Sequence, residues 1–331
     1  MTFRYLIIGG GMTADAAAKA IRATDATGSI GLVSSEADAP YKRPPLSKGL
    51  WSGSTVERTD LGTHKTDAEL ILGKTVTELD IDARNVRLDD GSSIAFGYLL
   101  LATGAWARTL PSLPVGGPIV AYRTLADFRV AQARAVPGSK VLVVGGGFIG
   151  SELAAGLSRT GAEVHMVFPE AAIGAPRFPA RLAESITADY RARGVLVYPD
   201  NGVGSVVASG DAVTVVLNDG TELTVDMIAV GVGTAPNVDL AAAAGLVTGN
   251  GIVVDDRLRA QREGPDGENR PVEHVFAAGD VAAFPWPQPL KPGRIEHEDN
   301  AVMMGGHAGR QLAAAHRAAA EGGGDPSTAM P

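Results

Sequence analysis

The sequence contains no cysteine. Structural disulfides, thiolate metal sites and any internal dithiol relay are therefore excluded. It also lacks a long hydrophobic run. Nothing approaches the ~18 apolar residues of a membrane span, and none is expected. There is no basic excess: 29 lysines and arginines face 37 aspartates and glutamates, a net charge of -8. No basic run offsets that balance, which argues against nucleic acid or an anionic membrane surface as a partner. The six histidines form no H-E-x-x-H or similarly spaced ligand set, so no metal site is expected. Met1 leads within four residues to an apolar strand at Tyr5, leaving no room for a signal peptide, and a soluble, cytoplasmic protein is the expectation. What the chain has in excess is glycine, 42 of 331 residues, clustered at turns that follow apolar runs. That length gives a prior of two domains, each large enough for its own core.

Two stretches carry the most informative glycines. Tyr5 to Ala18, YLIIGGGMTADAAA, is an apolar run, then glycines, then small residues of helical character. Val141 to Ala154, VLVVGGGFIGSELA, repeats the pattern in fuller form about 135 residues later. Both read as the strand, tight turn and helix opening of a dinucleotide-binding unit. In the first copy Gly9, Gly11 and Ala14 fill G-x-G-x-x-G/A, the second glycine letting a pyrophosphate approach a helix start. Glu36 lies 22 residues past Ala14, after a strand over Ser29 to Ser34, the interval at which an acid meets an adenosine ribose. Taken alone it reads as a solvated loop acid. In the second copy Gly145, Gly147 and Gly150 complete the motif. Glu170 follows the strand Glu163 to Phe168 and lies 20 residues past Gly150. An acid there accepts from ribose hydroxyls and repels a 2′-phosphate, favouring NADH over NADPH, although Arg177 and Arg181 downstream could meet a phosphate.

Other segments carry chemistry that the glycines do not explain. Pro40 to Trp51, PYKRPPLSKGLW, has Pro44-Pro45 stiffening the chain before Leu46-Ser47-Lys48 can begin a helix. It is either a rigid basic bracket holding Arg43 and Lys48, or a surface loop with two solvated cations. Residues 60 to 98 read as amphipathic strands around the turn Asp90-Gly91. Tyr98 to Gly104, YLLLATG, is a buried strand whose end, Ala102-Thr103-Gly104, brings small residues to a sheet's carboxyl edge. Residues 109 to 118, rich in proline and glycine, read as a connection between domains. Leu125 to Val136 reads as a helix, and Asn218-Asp219-Gly220 as a turn between strands at Val203 to Val216 and Thr221 to Val225. Met227 to Val232 should close the second domain as YLLLATG closes the first. Gly251 to Asp255 reads as a strand, and so does Val275 to Asp280. Gly279-Asp280 is either a plain turn or a site where the carboxylate accepts from a ribityl hydroxyl. Arg262 to Pro271 reads as a mobile surface loop, and residues 294 to 312 as the opening of a small-residue helix, with His297 a cap or a packed residue if taken alone. Glu321 to Pro331 reads as a disordered tail or linker.

The stretch PY-x-RPPLSK resembles the ferredoxin-reductase and apoptosis-inducing-factor branch of the FAD-dependent pyridine nucleotide-disulfide oxidoreductase superfamily. Leu50-Trp51 and residues 294 to 312 resemble the apoptosis-inducing-factor side. The resemblance implies that Arg43 reaches the flavin phosphate or ring edge and Lys48 the reactive end of the isoalloxazine. It implies that Ala102, Thr103 and Gly104 close the FAD site, that Asp280 next to Gly279 binds the ribityl chain, and that Glu296 and His297 lie beside flavin and nicotinamide. Thr234 to Asn237 matches the family's return hinge, and residues 262 to 271 look like an insertion. The implied fold is α/β with two Rossmann-like domains. The FAD domain is discontinuous, 1–115 and 244–320, and the NAD(H) domain, 116–243, is inserted into it, with 321–331 as a tail. The family's third, C-terminal domain would begin where this sequence stops.

The expected cofactors are FAD and NADH. The implied function is transfer of hydride from NADH C4 to flavin N5, with Lys48 and Glu152 paired near N5 and His297 close by. Without cysteine, electrons leave directly to a ferredoxin- or rubredoxin-like protein, a quinone or dioxygen. The alternative is a redox-sensing flavoprotein like apoptosis-inducing factor, holding a stable NADH charge-transfer complex with slow turnover and a partner-binding role. A homodimer is among the assemblies the resemblance allows.

Overall fold

The computed structural model describes residues 1–175, 177–209, 212–286 and 293–321. The expected tail beyond Glu321 lies outside these residues. Contacts divide the chain into two compact units. One holds Met1–Lys42, Thr59–Ala105 and the chain from Pro236 onward; the other holds Arg43–Arg58 and Trp106–Ala235. The breaks thus fall at 105–106 and 235–236, against 115–116 and 243–244 in the sequence reading. The 43–58 stretch groups with the second unit.

In the first unit a parallel sheet runs in the order Asn269–Ala277, Ser93–Leu101, Thr2–Ile8, Ile30–Ser34, Glu69–Leu72. The register sets Ile7 beside Leu100 on one side and Leu32 on the other. These central strands are nearly continuous apolar runs because both faces are covered, and Leu6, Ile7, Leu99 and Leu100 are fully buried. Each such side chain contributes roughly 1.5–3 kcal/mol. Helix Met12–Thr24 follows the first strand, burying Ala14, Ala17, Ala18 and Ile21. Helix Glu298–Glu321 packs on it through glycines. A Cβ on Gly305 would collide with the Thr13 carbonyl, and one on Gly309 would lie 2.9 Å from Ala20 Cβ. The small-residue character of residues 294 to 312 is therefore the condition for two helix backbones to approach closely.

Two expectations are corrected here. Residues 262–271 are not a loop throughout. Arg259–Glu263 pairs antiparallel with Asn269–Ala277, a hairpin fixed by the ladder Arg262 to Arg270 and Glu263 to Asn269. The expected strand Gly251 to Asp255 ends at Val253, where it pairs with Ala282–Ala283.

The second unit repeats the plan. Its all-parallel sheet runs Leu196–Tyr198, Glu163–Val167, Lys140–Val144, Met227–Val230, Ile119–Ala121. Helix Phe148–Ser158 connects the Lys140 and Glu163 strands. A separate antiparallel sheet is built from Val203–Ser209, Ala212–Leu217 and Glu222–Val225. Helix Leu125–Arg134 begins in a reciprocal cap between Thr124 and Asp127. No α-helix starts at Leu46. Pro44–Leu46 and Gly49–Ser52 are 3₁₀ turns, and Lys48 between them has φ -125° and ψ -94°, outside the helical region. Among the described residues no helix is long and apolar enough to cross a membrane.

Candidate functional site

Each unit carries a glycine cradle at the carboxyl end of its central strand. In the first, Gly9 has φ +119°, and a Cβ there would collide with the Ala102 carbonyl. Only glycine lets the turn close on the Ala102-Thr103-Gly104 corner. Gly11 is the N-cap of helix Met12–Thr24; no side chain caps it, and a Cβ there would meet open space. The first-turn N–H groups therefore lack a side-chain acceptor and stand open to an anion. Asp15, in that same turn, is occupied elsewhere. It accepts from Thr63 Oγ1 at 2.7 Å and from Lys19 Nζ at 2.8 Å.

The remaining first-unit residues gather round this cradle or at the sheet edge. Gly279 has φ +78°, and a Cβ would collide with the Thr13 hydroxyl, so the Gly279–Val281 turn that carries Asp280 lies against the helix start. Glu36 sits two residues past strand Ile30–Ser34 and accepts from the Tyr41 hydroxyl at 2.6 Å. Glu296 pairs with Arg294 at 2.7 Å. His297 is not packed: its side chain is 60% exposed, and Nδ1 accepts from the Asp299 N–H at 3.2 Å, ahead of helix Glu298–Glu321. Arg294 was not foreseen. Its buried guanidinium reaches Glu296, Asn250 Oδ1 at 3.2 Å and the Asp280 carbonyl, tying three loops of this end together.

The second cradle is the closer fit to the pattern. Gly145 also has φ +119°, and its Cβ would collide with the Gly231 carbonyl; that of Gly150 would collide with the Gly145 carbonyl. Gly147 caps helix Phe148–Ser158 without a side-chain hydrogen bond and faces open space. Glu170, three residues beyond strand Glu163–Val167, has its Oε2 buried with no hydrogen-bond partner among the described residues. A buried acceptor left unmade costs about 1–3 kcal/mol, and more if charged. A ribose hydroxyl is a donor of the right kind. Arg177 is engaged, its guanidinium 5.1 Å from the centre of the Phe148 ring, while Arg181 is exposed.

Lys48 and Glu152 both belong to the second unit, and Lys48 Nζ lies 3.3 Å from Glu152 Oε1. The other carboxylate oxygen accepts from the buried Ser47 hydroxyl at 2.6 Å. The main chain beneath is pinned as well: the Leu46 carbonyl accepts from Tyr122 Oη at 2.5 Å and from Trp51 Nε1 at 2.8 Å. Trp51 packs edge-on to Phe128 and against Gly156, where a Cβ would come within 2.9 Å of its own. Arg43 Nη1 donates to the Arg123 carbonyl at 3.3 Å. Burial raises the Tyr190 phenol above its ordinary value, the Ser151 side chain opposes the rise and the Glu152 carboxylate adds to it, while the phenol donates to the Ser151 carbonyl at 3.0 Å. The sequence reading assigned no role to Ser47, Tyr122 or Trp51. The available signal was Gly156, an unfavourable residue inside a helix one turn from Glu152 on the same face.

The pattern of the pyridine nucleotide-disulphide oxidoreductase family matches residues 3–305. The chain belongs to that family. It is 36% identical to rhodocoxin reductase of Rhodococcus erythropolis over 90% of its own length and 69% of the relative's. It is 33% identical to the putative mitochondrial apoptosis-inducing factor 1 of Drosophila melanogaster, covering 95% of this chain but only 46% of that protein. Among solved structures, the covalent putidaredoxin reductase–putidaredoxin complex superposes with a TM-score of 0.84 at 28% identity, over 94% of this chain and 75% of that one. Membership gives the chain the two dinucleotide sites of an oxidoreductase that uses FAD and a nicotinamide dinucleotide. The residues present fit both groups: each cradle opens at an uncapped helix start, and the second holds an acid with an unmatched buried oxygen. The 331 residues hold no cysteine, so no disulphide within them can carry the family's disulphide chemistry. Among the described residues no cluster of histidine, aspartate and glutamate could hold a metal.

Proposed function

We propose that the chain is an NADH-dependent flavoprotein reductase that delivers electrons to an external acceptor, a small redox protein in the first instance. The observation that carries this is the pair of open cradles, Gly9–Gly11 and Gly145–Gly147, in a chain with no thiol to relay electrons internally. When bound, FAD supplies an acceptor for hydride that can release electrons singly or in pairs. The first cradle, with Ala14, Ala102 to Gly104, Glu36 and Asp280, binds its pyrophosphate and sugar hydroxyls. Gly145, Gly147 and Gly150 hold the pyrophosphate of NADH, and Glu170 accepts from its ribose and turns away a 2′-phosphate. Glu152, held by Ser47, orients Lys48 so that its remaining ammonium donors can serve the reacting atoms; Arg43, Glu296 and His297 are the further residues that the resemblance assigns to flavin and nicotinamide.

The acceptor class is supported by the named relatives, a rhodocoxin reductase and a reductase solved with putidaredoxin. The likeness to the Drosophila protein favours a second reading, a redox-gated partner-binding flavoprotein with slow turnover. Screening acceptor proteins, quinones and dioxygen against NADH oxidation by the FAD-loaded chain tests both. Rapid turnover with a protein acceptor supports the reductase; a reduced form that refuses every acceptor sinks it and supports the second reading.

A further inference from the structure

Among the described residues two buried side-chain atoms lack a hydrogen-bond partner, and they fall one in each unit. Glu170 Oε2, at the end of a second-unit strand, has its use already. The other is Asn237 Oδ1 in the first unit. Asn237 lies against the Thr103-Gly104 corner in a three-bond clasp. Its N–H donates to the Gly104 carbonyl at 3.0 Å, its Nδ2 to the Thr103 carbonyl at 2.7 Å, and Thr103 Oγ1 donates back to the Asn237 carbonyl at 2.8 Å. The clasp fixes which way the amide points. Reversing it would set Oδ1 against the Thr103 carbonyl, acceptor on acceptor, so Oδ1 must be the atom left over.

The corner it belongs to is the one on which the first cradle closes. Gly9 is glycine because the Ala102 carbonyl stands where its Cβ would be. Gly104, with φ +63°, has open space where its own Cβ would stand, as Gly11 has across the cradle. A buried amide oxygen is worth leaving unpaired within the protein only where something else supplies a donor.

We propose that Asn237 is a ligand-binding residue, its Oδ1 accepting a hydrogen bond from a hydroxyl of the sugar and ribityl chain of the dinucleotide in the first cradle. This rests on the reading of that cradle as the FAD site. Asn237 then does two things at once: Nδ2 holds the corner and Oδ1 reads the ligand, so flavin uptake tightens a turn that the return strand has already gripped.

The test is FAD affinity, measured by flavin fluorescence on the apoprotein of the full chain, for wild type, Asn237→Ala and Arg108→Ala. Arg108→Ala removes the guanidinium bond to the Thr234 carbonyl, 2.8 Å long and three residues before Asn237, so it loosens the return strand and spares Oδ1. The expected result is FAD affinity weakened roughly three- to tenfold by Asn237→Ala, the range for one lost neutral hydrogen bond, and by less than about twofold for Arg108→Ala. Equal weakening by the two variants overturns the proposal, because loosening of the return strand then explains everything. Unchanged affinity in Asn237→Ala overturns it too, and assigns the orphan oxygen to a water. If Asn237→Ala does not fold, Asn237→Ser is read against the same criteria. A wild-type chain that takes up no FAD overturns the functional reading along with this one; a chain that takes it up normally while Asn237→Ala matches it overturns this one alone.

Discussion

Lys48 Nζ stands 3.3 Å from Glu152 Oε1, joining a proline-stiffened stretch to the helix that opens at the second cradle. The lysine side chain is 58% exposed. A pair so placed adds little to stability, of the order of 0.2–1 kcal/mol. Its use is directional. Ser47 takes the second carboxylate oxygen, and the Leu46 carbonyl beneath accepts two further bonds, so the lysine is aimed by groups that are themselves held.

Replacing Lys48 by alanine should therefore leave the fold and bound FAD intact and slow flavin reduction by NADH on the order of tenfold, which corresponds to about 1.4 kcal/mol of barrier. Anaerobic stopped-flow absorbance reads it directly. Unchanged reduction kinetics would mean that the pair does not serve the reacting atoms.

Glu170 should set the nucleotide preference. The wild-type chain is expected to favour NADH over NADPH, and Glu170→Ala should narrow that gap by raising kcat/KM for NADPH while lowering it for NADH. If the two nucleotides keep their ratio in the variant, the unmatched Oε2 is not facing the ribose.

Gly305 admits no side chain without moving the Thr13 backbone. Gly305→Val should push the long helix off Met12–Thr24 and lower stability by roughly 1–3 kcal/mol, as overpacking generally does. Thermal unfolding and FAD release should shift together, because the long helix packs against Met12–Thr24, the helix that begins at the cradle. A variant with unaltered midpoint would show that the two helices separate freely.

Asp25 gives a pH dependence with a definite sign. Burial pushes its carboxyl up, but donation from Arg4 at 2.8 Å and Tyr5 at 2.9 Å, with the N–H groups of Gly28 and Thr27, outweighs this and holds it well below the usual carboxylate range. The stabilisation is present in full above the ordinary value near about 3.9 and is lost as pH falls from there toward the depressed one. The thermal midpoint should accordingly fall on acidification below about pH 4, and Asp25→Asn should be less stable at neutral pH with a flatter acid limb. Parallel acid limbs would assign the loss to other carboxylates.

Much of this was legible in the chain itself. Gly9, Gly145 and Gly150 announce themselves because a backbone that must turn tightly against a carbonyl admits no other residue, and the strands that feed them are apolar on both faces. The Lys48–Glu152 pair came from resemblance and has its geometry within one unit. What the sequence hid were contacts between residues distant in the chain. Arg294 reads as one more surface cation until its guanidinium is seen buried against Asp280 and Glu296. Ser47 is anonymous until Glu152, 105 positions away, meets it. The polar stretch 262–271 has the composition of a loop, yet a neighbouring ladder turns it into a hairpin. Composition reports local preference; pairing decided these cases.

The most direct measurement is double-mixing anaerobic stopped flow on the FAD-loaded chain, first with NADH and then with an oxidised small redox protein. Rapid loss of the visible flavin band on the first mix, and its return with reduction of the protein acceptor on the second, is the predicted result. Failure of NADH to bleach the flavin would contradict the account at its centre.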